Sequence, residues 1–133
     1  MANQSRRLGR IWRNSLLISR LGNLRQTWVS FTGVDQTTPV RNIATRAGSG
    51  TSPTVAVTSA PGNMVVDAMV TGCNGTITSS KTLRWLKQVN CATGGGNGAQ
   101  STAAGAASVT MGYTVPSDWW GMIGMDVVAA ASP

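Results

Sequence analysis

Ser108-Val109-Thr110-Met111-Gly112-Tyr113-Thr114-Val115 is the stretch that decides how this chain is read. Val109, Met111, Tyr113 and Val115 fall on one face, and Ser108, Thr110, Gly112 and Thr114 on the other. Successive residues of a strand point to opposite sides of its sheet. A period of two therefore predicts a strand with one face in a core and one toward solvent. Upstream, Thr54-Val55-Ala56-Val57-Thr58 alternates in the same way, with Val55 and Val57 together. Met64-Val65-Val66-Asp67-Ala68-Met69-Val70 is almost continuously apolar, which predicts a central strand buried on both faces. Leu83–Lys87 reads as a shorter, more polar strand, Trp119 to about Ala129 as the last, and Thr27–Phe31 as the first.

Turn residues separate these runs. Thr37-Thr38-Pro39, the loop 47–53, Pro61-Gly62-Asn63, Asn74-Gly75 and Pro116-Ser117-Asp118 all carry residues suited to turns, and Asn and Gly tolerate positive φ. Gly94-Gly95-Gly96-Asn97-Gly98 opens a stretch read as flexible through Ala107; no Gly-Lys-Ser/Thr follows, so it is not a phosphate loop. Six strands joined by such turns, with no strand–helix alternation, predict an all-β antiparallel sandwich.

Composition agrees. Gly, Thr, Ala and Ser make up 60 of the 133 residues, a balance that suits strands and turns better than helices. The length favours one domain, and 41% hydrophobic content is enough for a core. Histidine and glutamate are absent, and the carboxylates are Asp35, Asp67, Asp118 and Asp126. No Ser-His-Asp or Cys-His set can be assembled, so the expectation is a protein without catalysis. The aspartates stand singly, without the spacing of a calcium loop, and two thiols without histidine make a poor zinc set. No metal or cofactor is expected. No apolar run approaches the ~20 residues of a membrane-spanning helix.

The net charge of +7 is concentrated at the start. Arg6, Arg7, Arg10, Arg13, Arg20 and Arg25 stand in the first 34 residues with no acid among them, whereas the remainder is close to neutral. Residues 1–26 therefore read as a basic arm and 27–133 as the β module. Leu8, Ile11, Trp12 and Ile18 fit one helical face, but Gly9 and Gly22 interrupt it, so a short imperfect helix and a plain tail are both compatible. Leu16-Leu17-Ile18 is too short an apolar core for a signal peptide. Such an arm suits phosphate backbones or an anionic membrane surface.

Taken in order, the pieces resemble a β-sandwich module of large bacterial surface and secreted proteins, with similar modules in phage tail-associated proteins. The resemblance begins at Trp28-Val29-Ser30-Phe31-Thr32-Gly33-Val34-Asp35-Gln36-Thr37-Thr38-Pro39-Val40. It continues through Ser49–Ser52, Thr54–Thr58, Pro61–Val66, Leu83–Trp85, Gly94–Gly98, Ser108–Met111 and Trp119–Ala129. It implies a jelly-roll sandwich similar to concanavalin-A-like lectins, acting in binding or as a spacer. Further strands precede this signature in the family, where this chain has its arginine-rich arm. The resemblance thus covers the C-terminal half of the module. It implies a shortened or frame-shifted reading of a longer one, or one completed by additional strands or self-association.

Three tryptophans are the candidate contacts. Trp119 and Trp120 are adjacent at a strand start, so one ring should point inward and the other outward, where an indole can stack on a sugar or a partner surface. Trp85, between Arg84 and Lys87, suits either a saccharide or anion-binding patch or cross-strand packing. Cys73 and Cys91 either form a disulfide or remain two buried thiols; their spacing is compatible with both. Asn74-Gly75-Thr76 fits a glycosylation acceptor but is read as a turn.

The expected function is a non-catalytic module of an extracellular, cell-surface or virion protein, for adhesion, carbohydrate binding or scaffolding, with glycans or other subunits as partners. The alternative is a viral or phage structural protein whose arginine arm meets nucleic acid or a neighbouring subunit.

Overall fold

The computed structural model describes residues 29–72, 75–89 and 95–132. Eight strands form within them: β1 (Val40–Gly50), β2 (Thr54–Val57), β3 (Met64–Thr71), β4 (Thr78–Ser79), β5 (Thr82–Lys87), β6 (Asn97–Ala104), β7 (Val109–Thr114) and β8 (Asp118–Val127). They make two antiparallel sheets, one of five strands in the order β1-β8-β3-β6-β5 and one of three in the order β2-β7-β4. The described residues are all-β and contain no helix, and so none that is long and apolar enough to cross a membrane.

The alternating strands face each other across the core. Val55 and Val57 of β2 and Val109, Met111 and Tyr113 of β7 are buried, together with Val115 just beyond it, while Thr110 and Thr114 are exposed. The five-stranded sheet contributes Val65, Met69, Ala99, Trp120 and Met122 to the same cluster. Gly124 of β8 is a close-approach position. A Cβ there would stand 2.5 Å from Val57 Cγ2 and 3.2 Å from Val55 Cγ1, so only a hydrogen lets the sheets meet. Gly124→Ala is expected to lower the unfolding free energy by about 1–3 kcal/mol through overpacking, read from the urea midpoint.

Three strand expectations need correction. The expected loop 47–53 is strand as far as Gly50, the end of β1, and residues 97–104, expected to be flexible, form β6. Val29–Phe31 are not in a strand; Thr27 and Trp28 lie outside the described residues. β6 was hidden because its inward positions are small: Ala99 and Ser101 are fully buried without looking like a core. β3 is the middle strand, as its apolar run suggests, but its outer face is not fully covered, and Val70 is 52% exposed.

Near the start of the described chain, Val34 bridges Ala129, Asp35 N–H donates to Val128 O and Ala130 N–H to Gly33 O. The turn at Pro61-Gly62-Asn63 forms as expected, with Gly62 at φ 90° and Asn63 N–H donating to Ala60 O.

The smaller sheet stops short of β5. Leu83 pairs with Ser101 and Leu86 with Ala99, both inward residues of β6. A bulge between Leu83 and Trp85 keeps the two leucines on that inward side. They are nevertheless 42% and 36% exposed, because no strand lies opposite them among the described residues.

Candidate functional site

The parity of β8 separates its two tryptophans. Trp120 points into the core and is 6% exposed, whereas Trp119 points out and is 58% exposed. Trp120, expected among the contact residues, is instead part of the core. Its ring fills the space that Gly48 leaves, where a Cβ would come within 2.9 Å of Cζ2, and the Arg46 guanidinium stands 6.0 Å from the ring centroid. Arg46 is held there by donating to Thr54 Oγ1 at 2.9 Å. Trp119 is fixed through its backbone: Thr71 Oγ1 donates to its carbonyl at 2.9 Å, and its own N–H reaches Asp118 Oδ1 at 2.8 Å.

Residues directly opposite in an antiparallel pair share a face, so the registers define what lies beside Trp119 on the open side. Ala47, Gly121, Val70, Gly98 and Lys87 form one row across all five strands. The two glycines keep this row low around the exposed Val70 side chain. Trp85, also on this side, is half-buried. Its ring leans over Gly98, where a Cβ would lie 3.2 Å from Cη2, and its Nε1 donates to Gln100 Oε1 at 2.8 Å. Arg84 is the extra residue of the β5 bulge, and its Nε donates to Thr102 Oγ1 at 2.7 Å. Two of the three candidate tryptophans thus share one face, with the exposed Val70 between them.

Two polar clusters are closed to any substrate. Asp67 accepts from Ser101 N–H at 2.7 Å, Ser101 Oγ at 2.8 Å and Tyr113 Oη at 2.6 Å; none of the three residues exceeds 4% exposure. Burial pushes the Asp67 carboxyl above its ordinary value, against hydrogen bonds from Tyr113 and Ser101 that pull it down. Burial and the neighbouring Asp67 also raise the Tyr113 hydroxyl. Asp126, fully buried, accepts from Ser59 Oγ at 2.7 Å, Asn63 Nδ2 at 3.1 Å and Arg41 Nε at 3.2 Å. These carboxylates brace the sandwich. Asp35 lies outside it, and backbone N–H groups of Thr38 and Thr37 hold its carboxyl below the usual range.

Arg6, Arg7, Arg10, Arg13, Arg20 and Arg25, and both Cys73 and Cys91, lie outside the described residues. The sequence reading missed Val70, Gly98, Gln100 and Gly121 as parts of the open face. The period-two signal was present in β8, where Gly121 shares the parity of Trp119. Which β6 residues lie beside them depends on pairing.

The fold and this face define an all-β, two-sheet protein with an open aromatic side. Comparison of the chain with known protein families, curated proteins and solved structures gives no match.

Proposed function

We propose that the chain is a non-catalytic binding module with a jelly-roll-like sandwich, working outside a cell or on a virion, that takes carbohydrate on the open face of its five-stranded sheet. The observation that carries this reading is the pair Trp85 and Trp119 on one face, with the exposed Val70 between them. An exposed indole offers a flat apolar surface at low entropic cost, and a pyranose ring offers a matching C–H face. Gln100, Thr45 and Ser49, which the registers place on the same side, supply hydrogen-bonding groups for hydroxyls. The buried positions of Asp67 and Asp126 support a role without catalysis, since neither meets solvent. The uncovered Leu83 and Leu86 support completion of the smaller sheet by a further strand or a second copy.

Trp119→Ala is expected to reduce oligosaccharide affinity of the full chain at least tenfold, measured by calorimetry. The unfolding free energy from urea denaturation should stay within about 0.5 kcal/mol of wild type, because the ring is exposed. Unchanged affinity would remove this face as the site. The second reading, a virion structural protein whose arm meets nucleic acid or a neighbouring subunit, rests on the six arginines of the arm; salt-dependent nucleic-acid binding that deletion of residues 1–25 abolishes would favour it.

A further inference from the structure

A sheet edge carries unpaired backbone N–H and C=O groups that can take another strand, and folds guard such edges by keeping them short, bulged or charged. The two sheets have four edges among the described residues, and three are guarded. β2 has four residues and β4 has two. β5 follows Lys81, is interrupted by the bulge at Arg84 and ends on Lys87, so a second copy of that edge would meet like charge. β1 is the exception. It has 11 residues, the longest strand of the fold, and is exposed along nearly its whole length. It contains neither lysine nor proline. Its bulge, with Asn42 at φ 52°, is confined to the stretch between Arg41 and Ala44, and Ala44–Gly50 then runs against Asp118–Gly124 without a break. Its two arginines are turned back on their own subunit, Arg41 to Asp126 and Arg46 to Thr54.

The ladder fixes which groups of β1 are open. Val128 N–H donates to Pro39 O, and Thr71 Oγ1 donates to the Trp119 carbonyl on the β3 side. Alternation along β8 therefore turns the backbone of Gly124, Met122 and Trp120 toward β1 and that of Ile123, Gly121 and Trp119 toward β3. Their β1 partners follow. Ala44, Arg46 and Gly48 bond to β8, whereas Thr45, Ala47 and Ser49 present N–H and C=O to the open edge.

We infer that this edge pairs with the same edge of a second copy of the chain, antiparallel about a two-fold axis at Ala47. That register sets Ala47 against its counterpart and Thr45 against the partner's Ser49, twice over by symmetry. Three pairs exchanging two bonds each give about six backbone hydrogen bonds, and every open group of Thr45, Ala47 and Ser49 is used. The side chains agree with it: Thr and Ser make a favourable cross-strand pair, and Arg46 falls opposite glycine, not opposite another cation. At about 3.4 Å per residue the edge is about 24 Å long, which makes an interface at the small end of specific ones, under about 1,200 Å². The dimer is therefore reversible. It joins the two five-stranded sheets into one of ten strands, with both open faces on the same side. The inference stands apart from the carbohydrate reading.

Sedimentation velocity of the full chain over a concentration series should show a monomer–dimer equilibrium. Ala47→Pro removes an N–H that faces the open edge and none that bonds to β8, so it should raise the dissociation constant at least a hundredfold with the circular dichroism unchanged. Under mild oxidation Ala47→Cys should give a covalent dimer beyond the wild-type background, because the two positions are about 5.5 Å apart at the axis. Thr45→Cys should not, since its counterpart lies several residues away along the strand. Trp119→Ala, which removes the proposed sugar contact, should leave the dimer in place. A full chain that is monomeric throughout, including one that dimerises only after removal of residues 1–26, would overturn the inference. So would a dimer that survives a folded Ala47→Pro, or cross-linking by Thr45→Cys in place of Ala47→Cys; the cross-linking pattern decides even where the proline variant is unfolded.

Discussion

Replacing Asp126 by alanine should lower the unfolding free energy by about 3–5 kcal/mol, a large share of the roughly 5–15 kcal/mol of a typical domain. The carboxylate is fully buried and joins three parts of the chain: Arg41 on β1, and Ser59 and Asn63 on either side of the turn between β2 and β3. Most of the cost comes from the donors left behind. Ser59 is buried and Asn63 half-buried, and each donor stranded without an acceptor costs about 1–3 kcal/mol. The missing volume adds a cavity term. The Arg41 contact adds little, since half of that side chain is exposed. Asn63 also accepts from Ala129 N–H and Gly105 N–H, so loosening it frees both the end of β8 and the turn after β6. Urea denaturation measures the effect; a loss below about 1 kcal/mol would mean that water reaches Ser59 and Asn63 and that the cluster is not a brace.

Asp67 should behave differently, because its effect depends on pH in a direction unusual for a carboxylate. Burial raises its value above the ordinary 3.8, so between the two values the folded chain binds more proton than the unfolded one. Stability from this group is therefore fully present below 3.8 and is lost as the pH rises through the raised, folded-state value. The proton can be accommodated, since a Ser101 or Tyr113 hydroxyl can turn from donor to acceptor. Asp67→Asn removes the titration. It also sets one carbonyl oxygen against three donors, so at neutral pH it should destabilise by about 2–3 kcal/mol. The advantage of wild type over the variant should then widen as the pH is lowered from 7 toward 4. Parallel urea titrations at several pH values measure it, and a gap that is flat or narrows toward acid would contradict a buried, upward-shifted carboxyl.

Parts of this architecture were legible residue by residue. Val55 and Val57, and the face Val109–Met111–Tyr113–Val115, sit where their alternation puts them, because side-chain parity is a local property of a strand. The same rule places Asp67 inward between Val65 and Met69. The split of Trp119 from Trp120 was legible as a split, though not which ring would be buried. β1 and β6 were not legible: β1 pairs along one edge and is largely exposed, and β6 buries alanine and serine, which carry no hydrophobic signal.

Neighbours a few residues apart were enough to fix the strand period, the turn at Pro61-Gly62-Asn63 and the concentration of charge in the arm. Tertiary structure alone decided that Trp85 and Trp119, 34 positions apart in the chain, share an open face. It also decided that Asp126 meets Ser59 across 67 positions. Both depend on which strands lie side by side, and strand order is set by the joint burial of residues distant in sequence, which no local pattern encodes.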